Sequence, residues 1–259
     1  FNRFIIELMI QVKGIHKSFG ENHVLKGVDV DFRRGETNLI IGRSGSGKTV
    51  FLKTILGLHQ QDQGQIIYDG EVLSEMSKQR SKKLRQEIGM LFQGGALFDS
   101  MTVAQNIRFP LEMFSDMTKH EMDERVKFVM NRVRLEGADS KFPSEISGGM
   151  QKRVSIARAI SMSPKYLFCD EPNSGLDPET AIVIDQLIHE ITHEFDMTTI
   201  VNTHDMNSVL EIGDHVIFMK EGYKVWEGNS SEVLKSTNQD VEEYVFKSKL
   251  FQQVRKALR

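Results

Sequence analysis

Residues 42–49 combine the residue types that hold phosphate groups. Their sequence, GRSGSGKT, matches the pattern G-x-x-x-x-G-K-[ST]. Glycines let successive backbone N–H groups turn toward one anion, and the N-terminus of a following helix adds positive potential. The pattern predicts that Lys48 reaches the β- and γ-phosphates of a nucleotide and that the Thr49 hydroxyl ligates magnesium.

A loop of this kind also needs an acid that supports magnesium and a group that activates water. Residues 166–171, with the sequence YLFCDE, supply an apolar strand that ends in two carboxylates. Because successive strand residues face opposite sides, the two carboxylates can take different roles. We expect Asp170 to support the magnesium shell and Glu171 to orient and polarise the attacking water. Adjacent acidic residues are also common on protein surfaces, so the assignment depends on the strand and the phosphate-binding loop beside it.

The surrounding segments predict the elements that position these residues. Apolar residues alternate at 10–13 and again at 28–32, which predicts an antiparallel, half-exposed sheet at the start of the chain. A buried strand at 38–41 leads into the glycine-rich loop. A helix follows over about 48–56, and Gly57 is well placed to end it.

Helices dominate from residue 94 to about 145, where the strand signals fade. Thr118 and Glu121 form a capping-box pattern, and Gly137 is placed to end the helix that follows. Alternation then resumes, with helices at 148–162, 178–195 and 205–212 and strands at 166–170, 198–202, 215–219 and 223–226. This alternation favours a mainly parallel sheet covered by helices on both faces. A polar helical tail over about 230–259 closes the chain.

Composition limits the classes of protein to which the chain can belong. Its 259 residues are 39% hydrophobic and 27% charged, enough for one large α/β domain or one domain with an inserted lobe. The net charge of −3 argues against nucleic acid as a partner, and the basic stretch at 78–85 is typical of a solvated helix face. No apolar run approaches the roughly 20 residues that cross a bilayer. We therefore expect membrane contact only through partner proteins.

Two smaller features concern the cysteine and the start of the chain. Cys169 is the single cysteine and lies in an apolar run, so we interpret it as a small buried hydrophobic side chain in a reducing compartment. The first residues lack the order of charged, apolar and small residues found in a secretory signal. We interpret residues 1–9 as an N-terminal extension, with Met9 as the natural start.

Further motifs stand at the spacing found in one family. Residues 147–151 read SGGMQ, residues 174–177 read SGLD, and His204 ends the apolar run TTIVNTH. Gln93 lies between the glycine-rich loop and SGGMQ, and Phe19 precedes the loop. Over nearly its whole length the chain resembles the ATPases of ABC transporters. These segments stand in the places of the signature motif, the D-loop, the switch histidine, the Q-loop and the aromatic residue that stacks on adenine.

The resemblance implies a fold and a domain organisation. We expect an α/β P-loop NTPase of the ABC type, with a mainly parallel sheet flanked by helices, an N-terminal antiparallel β subdomain and an inserted α-helical subdomain. The nucleotide-binding domain would span residues 10–235, with the helical subdomain at about 94–160. A C-terminal helical tail would follow at 236–259.

The resemblance also implies ATP and Mg²⁺ as cofactors and assigns roles to individual residues. Catalytic roles fall on Lys48, Gln93, Glu171 and His204. Magnesium would be held by Thr49, Gln93 and Asp170. Nucleotide contacts would come from Phe19, Gly42, Arg43, Ser44, Gly45, Ser46, Gly47, Lys48, Thr49, Gln93, Ser147, Gly148, Gly149 and Asp177.

A second copy of the chain is an expected partner. Residues 147–149 open a helix and so offer another set of backbone donors for phosphate. Phosphates already held on one side by their own loop can receive a second such set only from another chain. We therefore expect a twofold, head-to-tail dimer that encloses two ATP molecules, closes with ATP and reopens after hydrolysis.

The chain departs from the family pattern at four positions. Ile146 stands where Leu is usual, Met150 where most members have Gln, and Asn173 where Thr is usual. Phe19 stands where Tyr is common, which keeps stacking but loses a hydroxyl contact. None of these departures removes a catalytic group.

Residues 94–111 narrow the resemblance further. This segment, which begins GGALFDSMTV, and the Gly-Gly-Met signature are similar to the MlaF-type ATPases of the Mla phospholipid transport system. The likeness implies phospholipid transport between the membranes of a double-membraned bacterium, from a peripheral position on the cytoplasmic face of the inner membrane. Its implied partners are multi-pass permease subunits, an MCE-type lipid-binding protein and a STAS-domain accessory subunit. The permease's coupling helix would dock on the helical lobe after Gln93.

Several alternatives stay open. Residues 94–111 are also compatible with helical packing shared by many transporters, including importers of polar solutes and lipoprotein exporters. ABC ATPases of DNA repair or translation usually carry a long coiled-coil insertion, zinc-binding cysteines or two cassettes. This sequence has one cassette, one cysteine and no long heptad insert. A degenerate regulatory cassette is disfavoured because Lys48, Asp170, Glu171 and His204 are all present.

The tail and one further motif also allow two interpretations each. Apolar residues of the tail recur at partly amphipathic helical spacing, at Val241, Tyr244, Val245, Phe246, Leu250, Phe251 and Val254. This face would pack on a partner chain or fold back on its own domain. Residues 189–193, HEITH, match the zinc-protease pattern, but at about 100° per residue both histidines point away from the helix's apolar stripe. We expect them to be solvated rather than zinc-binding.

Overall fold

The computed structural model describes residues 8–246, in two compact units. Within these residues, the first unit contains residues 8–77 and 200–246, and the second contains residues 78–199. The strands are β1 (Leu8–Phe19), β2 (Asn22–Arg33), β3 (Thr37–Ile41), β4 (Gln63–Tyr68), β5 (Glu71–Val72), β6 (Ile88–Leu91), β7 (Tyr166–Asp170), β8 (Thr198–Asn202), β9 (His215–Lys220) and β10 (Tyr223–Gly228). The helices are α1 (Lys48–Ile55), α2 (Lys78–Gln86), α3 (Val103–Phe114), α4 (Lys119–Arg132), α5 (Gly148–Ile160), α6 (Pro178–Glu194), α7 (Met206–Ile212), α8 (Ser230–Lys235) and α9 (Gln239–Val245).

The first unit opens with an antiparallel sheet in the order β2-β1-β4-β5. Val12 pairs with Val30 across β1 and β2, and Ile10 pairs with Tyr68 across β1 and β4. All four side chains are buried. The expected antiparallel opening sheet is confirmed. The sequence did not predict β4, because its buried residues 66–68 follow one another without alternation.

A second group of strands carries the glycine-rich loop, and all of this group except the first two residues of β8 lies in the first unit. Its order is β10-β9-β3-β8, with β3 and β9 parallel and β9 and β10 antiparallel. Every residue of β3 is buried. Helix α1 begins directly after the loop and buries Phe51, Leu52 and Ile55. The expected order of buried strand, loop and helix is confirmed.

The second unit contains the parallel pair β6 and β7, in which Leu91 lies opposite Cys169. Helices α3 and α4 follow β6 along the chain, as the fading strand signals predicted. Helix α4 begins with the expected capping box. The Thr118 hydroxyl accepts from the Glu121 N–H, and the Glu121 carboxylate accepts from the Thr118 N–H.

The predicted end of α4 was wrong. The helix ends at Arg132, and Val133 is its C-cap, whereas Gly137 had been expected to end it. The chain turns at Arg134, whose φ is 58°, and the Leu135 N–H donates to Met130 O at 3.0 Å. A left-handed arginine therefore closes the helix, a role that sequence patterns assign to glycine.

Within the described residues, the C-terminal part of the first unit contains two short helices, whereas the sequence predicted one continuous helical tail. Residues 236–238 separate α8 from α9, and α9 buries Val241 and Val245 within this chain. Residues 239–246 thus fold back on their own unit, whereas Leu250, Phe251 and Val254 lie outside the described residues. Within residues 8–246, no helix has the length and apolar character needed to cross a membrane.

Candidate nucleotide-binding site

Gly42 marks the point at which β3 turns into the glycine-rich loop. Its φ is 149°, and a Cβ at this position would lie 2.3 Å from the carbonyl oxygen of Met219. Gly47 has a φ of 101°, and a Cβ there would lie 3.1 Å from the carbonyl oxygen of Val24. A side chain at Gly42 would collide with backbone, and one at Gly47 would be strained by the positive φ and tightly packed, so the two glycines suit the start and the end of the loop.

Lys48 lies over the start of the loop and is 7% exposed. Its Nζ donates to the carbonyl oxygen of Gly42 at 2.9 Å and to that of Arg43 at 3.3 Å. Carbonyl oxygens are neutral acceptors, whereas phosphate oxygens carry negative charge, so an ammonium group gains an additional Coulomb attraction when it binds phosphate. A phosphate that entered the loop would therefore compete well for this ammonium group.

The N-terminus of α1 differs from those of several later helices. Its N-cap, Gly47, provides no side-chain hydrogen bond, and no acidic residue lies in its first turn. By contrast, α3, α5 and α6 are capped by the side chains of Thr102, Ser147 and Asp177. The first N–H groups of α1 are therefore suited to an external anion.

His204 follows β8 at the same edge as Gly42. Strands β8 and β3 are neighbours, and the N–H of Thr203 donates to Ile40 O at 3.1 Å. The Tyr244 hydroxyl lies 3.2 Å from the carbonyl oxygen of His204 and 3.4 Å from that of Gly42. The structure thus brings the loop and the expected switch histidine together within the first unit.

Phe19, the expected adenine platform, has an exposed ring at the end of β1. Lys17 Nζ lies 5.3 Å from the ring centroid, and the His59 ring meets Phe19 edge-on at 5.3 Å between centroids. Lys17 also pairs with Asp62 at 2.8 Å, and this hydrogen bond lowers the pKa of the Asp62 carboxyl. The aromatic surface expected for stacking is present and is held by these neighbours.

In the second unit, Asp170 ends β7 and Glu171 follows it. Both residues are half-buried. Glu171 has a φ of 50°, which is uncommon for a residue with a side chain. Its carbonyl oxygen accepts from the Ser174 N–H at 3.1 Å. The strand therefore ends in a tight turn at the expected catalytic carboxylate.

Gln93 follows β6, the parallel neighbour of β7, and so leaves the sheet at the same edge as Asp170. Its Nε2 donates to the Ser174 hydroxyl at 3.3 Å. This contact brings Gln93 beside the turn that follows the two carboxylates. The sequence placed Ser174 in the D-loop motif but gave it no role in the site.

Three side chains on one face of α5 hold the loop after Gln93. Lys152 Nζ donates to the Gln93 carbonyl, and the Ser155 hydroxyl donates to the Gly95 carbonyl at 3.2 Å. Arg158 donates to the Gly95 carbonyl and to the next one along the chain, both at 2.7 Å. Burial lowers the pKa of Lys152 and of Arg158. No sequence motif marked these three residues.

The expected signature turn opens α5. Ser147 is the N-cap, and its hydroxyl accepts from the Met150 N–H at 3.3 Å. Ser147 and Gly148 are exposed. A Cβ on Gly149 would lie 2.7 Å from Cγ2 of Thr180, so this glycine permits close packing of α5 on α6. The turn thus combines an exposed pair of residues with a packing glycine.

Asp177 has a structural role that the sequence did not reveal. It is the N-cap of α6, and its carboxylate accepts from the Thr180 hydroxyl at 2.6 Å and from the Thr180 N–H at 2.9 Å. These hydrogen bonds lower the pKa of the Asp177 carboxyl. The expected nucleotide contact would therefore be made by a residue that already caps a helix.

Comparison with known families agrees with this arrangement. A family model described as "ABC transporter" matches residues 25–174, more than half of the chain. The chain belongs to the ABC transporter family. It is an ATP-binding subunit of such a transporter, and its expected P-loop fold is confirmed.

Three relatives match this ABC subunit along most of its length. The "Probable ribonucleotide transport ATP-binding protein mkl" of Mycobacterium leprae (strain TN) is 37% identical over 243 residues, which cover 94% of this chain and 70% of the relative. "Methionine import ATP-binding protein MetN" of Clostridium tetani (strain Massachusetts / E88) is 38% identical, and the match covers 84% of this chain and 68% of the relative. "Protein TRIGALACTOSYLDIACYLGLYCEROL 3, chloroplastic" of Arabidopsis thaliana is 36% identical, and the match covers 92% of this chain and 73% of the relative.

Two solved structures share the fold of this ABC subunit. One is cbiO1 from Clostridium perfringens, described as part of the ABC transporter complex cbiONQ, with a TM-score of 0.83, 30% identity and coverage of 97% of this chain and 99% of that one. The other is the cassette MJ0796, described as a dimer in a post-hydrolysis state bound to ADP and Pi. Its TM-score is 0.76 and its identity is 30%, and the match covers 86% of this chain and 99% of that one.

The zinc-protease-like motif of this ABC subunit lies on α6. His193 is exposed, but His189 is half-buried rather than solvated, because the two rings pack edge-on with centroids 4.3 Å apart. Glu190, which would be the base of a zinc hydrolase, pairs with Arg132 at 3.3 Å. The motif thus contributes its glutamate to an ion pair between helices.

Cys169 of this ABC subunit is fully buried in β7. Burial raises the pKa of its thiol. The interpretation of this residue as a small buried hydrophobic side chain is confirmed.

Proposed function

We propose that this ABC subunit hydrolyses ATP in a magnesium-dependent reaction within a dimer of two copies. The observation that carries this proposal lies in the first unit. Buried Lys48 donates to the carbonyl of Gly42, and the Tyr244 hydroxyl lies between that carbonyl and the carbonyl of His204. A cationic loop beside a histidine at a strand end suits the binding of a terminal phosphate.

The residues present fit both ATP and magnesium. The N-terminus of α1 offers N–H groups without a side-chain cap, which suits a phosphate chain. The hydroxyl of Thr49, the carboxylate of Asp170 and the amide oxygen of Gln93 are oxygen donors, the ligand type that magnesium prefers. Bound magnesium would neutralise negative charge on the β- and γ-phosphate oxygens.

Each residue of the proposed site then has a defined task. Lys48 and the backbone N–H groups of residues 43–49 hold the phosphates, and the Phe19 ring stacks on adenine. Glu171 orients the attacking water and polarises it by accepting a hydrogen bond from it. His204 donates a hydrogen bond to the γ-phosphate as charge develops in the transition state.

The proposed dimer follows from the signature turn. Ser147 and Gly148 are exposed at the start of α5, where backbone donors suit phosphate. A second copy would place this turn against the nucleotide of the first, so that ATP joins the two and hydrolysis separates them. The similar cassette MJ0796, described as a dimer bound to ADP and Pi, supports this arrangement.

Hydrolysis is tested by comparing Glu171→Gln with wild type in a magnesium-dependent ATPase assay. We expect turnover to fall at least about 100-fold, since general-base groups typically contribute that much or more. Glu190→Gln, on the same unit, is the matched control and should retain activity. Lys48→Ala should weaken nucleotide binding instead. Unchanged turnover in Glu171→Gln would contradict the role of this carboxylate.

The proposed site of permease docking is the helical part of the second unit. Three large apolar side chains lie exposed within five positions, with Met113 at 59%, Phe114 at 51% and Met117 at 39%. Phe98 is also exposed and packs against Phe109 with ring centroids 4.8 Å apart. Multi-pass permease subunits would cover this apolar surface and hold the subunit peripherally at the cytoplasmic face of the inner membrane.

Phospholipid is the proposed transport substrate. The likeness of residues 94–111 to MlaF-type ATPases supports it. A relative whose name contains that of a galactolipid supports a lipid substrate more broadly. On this proposal the complex also contains an MCE-type lipid-binding protein and a STAS-domain subunit. Copurification of the subunit with its membrane partners, followed by lipid mass spectrometry, tests the proposal. Phospholipid should be enriched over a detergent-matched control, and its absence would contradict lipid transport.

Import of a small polar solute is the second candidate. Relatives named for ribonucleotide transport and for methionine import are 37% and 38% identical to this chain. The two candidates separate in the reconstituted complex. Stimulation of ATP turnover by phospholipid supplied by the lipid-binding partner favours the first, and stimulation by ribonucleotides or methionine favours the second.

A further inference from the structure

The Tyr244 hydroxyl on α9 lies between two carbonyl groups of the proposed site. It is 3.2 Å from His204 O and 3.4 Å from Gly42 O. A tyrosine hydroxyl has one proton to donate, and both distances exceed the roughly 2.7–2.8 Å that such hydrogen bonds usually have. The hydroxyl is therefore placed to bond well to either carbonyl but not to both at once.

Contacts around α9 hold Tyr244 in this position. Its ring stacks on Phe218 of β9, with centroids 4.9 Å apart and an interplanar angle of 30°. Asp240 pairs with Lys220 at the end of β9, and Val241 is buried. Beside these contacts a cavity of about 220 Å³ lies against residues 43–46 of the loop. The stacking on Phe218 and the pairing with Lys220 thus hold α9 against β9, and the cavity leaves space beside the Tyr244 ring.

Lys48 links Tyr244 to nucleotide binding. Its Nζ donates to the same Gly42 carbonyl at 2.9 Å. On the proposed function, Lys48 turns toward the phosphates when ATP binds, so the Gly42 carbonyl loses that donor. A buried carbonyl left without a donor costs free energy. The Tyr244 hydroxyl is the group already within reach to replace the ammonium.

We infer that Tyr244 is a positioning residue for ATP hydrolysis. Its hydroxyl bonds to the His204 carbonyl without nucleotide and moves to the Gly42 carbonyl when Lys48 leaves that carbonyl for the phosphates. This exchange releases the backbone of His204, from which the imidazole reaches the γ-phosphate. Nucleotide occupancy is thereby coupled to α9. This inference rests on the proposed function, because it requires Lys48 to bind phosphate and His204 to act in hydrolysis.

Tyr244→Phe tests the inference, because it removes the hydroxyl and keeps the ring that stacks on Phe218. Lys48 still satisfies Gly42 without nucleotide, so we expect the Tm without ATP to stay close to that of wild type. With magnesium and ATP, we expect the ATP Kd to rise about three- to tenfold, the scale of one hydrogen bond. We expect kcat to fall by a similar factor, because without the hydroxyl the Gly42 carbonyl competes with the phosphates for Lys48 in the transition state. Tyr223→Phe, an exposed tyrosine on β10, is the matched control and should change neither quantity.

A second variant tests the anchoring of the helix. Asp240→Asn weakens the pairing with Lys220 and leaves the Tyr244 hydroxyl in place, so it should produce a smaller change in the same direction. Equal Kd and kcat in Tyr244→Phe and wild type would overturn the inference. So would a large loss of Tm without ATP and unchanged kinetics, which would show a purely structural role. Wild type that fails to bind or hydrolyse ATP would instead overturn the proposed function, and the inference with it.

Discussion

Glu171 has a backbone conformation that favours glycine. Its φ of 50° lies in the left-handed region, where a Cβ crowds the backbone and costs roughly 1–2 kcal/mol. The turn after β7 holds this conformation through the hydrogen bond from the Ser174 N–H. The chain therefore keeps a side chain where stability would favour none, as expected if the carboxylate is needed for hydrolysis.

We predict that Glu171→Gly raises the free energy of unfolding by about 1 kcal/mol and abolishes hydrolysis. Urea unfolding without nucleotide measures the first effect. Glu171→Ala is the matched control, because it removes the carboxylate but keeps a Cβ in the left-handed region. If the alanine variant is as stable as the glycine variant, the backbone conformation is not the source of the cost.

Glu227 gives a second residue-scale effect, on the dependence of stability on pH. His215 is buried on β9, and its Nε2 lies 2.7 Å from the Glu227 carboxylate, which also pairs with Lys224. The hydrogen bond with His215, and then Lys224, lower the pKa of Glu227 from 4.5 to about 2. A lowered pKa stabilises the fold above the unfolded-state pKa, and this stability is lost as pH falls through the folded-state value.

We predict that Glu227→Gln lowers the free energy of unfolding at pH 7 by about 1 kcal/mol. Hydrogen bonds to charged groups contribute roughly 2 kcal/mol when buried, and partial exposure of this carboxylate reduces that figure. The difference from wild type should shrink as pH falls from about 4.5 toward about 2. Urea unfolding across this range measures it, with the exposed Glu211→Gln as control. A difference that stays constant with pH would contradict the assigned pairing.

At the scale of elements, α5 joins the signature turn to the loop after Gln93. Ser147 caps its N-terminus. Lys152, Ser155 and Arg158, which follow one another at a spacing of three residues, donate to carbonyls of the loop. Residues at a spacing of three lie on one helix face. One helix therefore fixes both the proposed phosphate-facing turn and the segment that carries an expected magnesium ligand.

We predict that Arg158→Met speeds amide hydrogen exchange in residues 93–97 about tenfold or more. The reason is the loss of two hydrogen bonds from a charged donor, to the carbonyls of Gly95 and Ala96 at 2.7 Å each. Arg153→Met, on the same helix, is the matched control. Hydrogen exchange with mass spectrometry measures the effect, and equal exchange in the two variants would show that Arg158 does not hold the loop.

Sequence patterns predicted elements best where the signal was local. Strands β7 and β8 were predicted at their observed bounds, because each is a short segment, mostly of apolar or β-branched residues, between two predicted helices. The end of α4 was missed, because Arg134 rather than a glycine takes the left-handed position. Strand β4 was missed, because its buried residues are consecutive and do not alternate.

The candidate site shows the same division. Gly42, Lys48 and His204 were predicted from motifs, and the structure brings them together within the first unit. Tyr244 was noted only as part of an apolar pattern. Its hydroxyl reaches a loop 202 residues earlier in the chain, and no local pattern encodes such a contact. Lys152 and Arg158 were missed for the same reason.

At the scale of the whole molecule, the proposed catalytic groups are divided between the two compact units. The first unit carries the glycine-rich loop and His204, and the second carries Asp170, Glu171 and the signature turn. No single unit therefore contains every group that the proposed reaction needs. In the proposed dimer, the exposed signature turn of each copy would offer its backbone donors to the partner.

We predict that Glu171→Gln forms a dimer with ATP and magnesium but stays monomeric with ADP, because only ATP supplies a γ-phosphate for the partner's signature turn. Light scattering after size exclusion measures this. Adding Gly148→Asp should abolish the dimer, because a carboxylate at the start of α5 repels phosphate. The fold should tolerate the change: a Cβ on Gly148 would meet only Cδ2 of Leu176, at an ordinary 3.8 Å. Ser144→Asp adds the same charge before the turn and should leave the dimer intact, so loss of the dimer in both variants would indicate nonspecific repulsion.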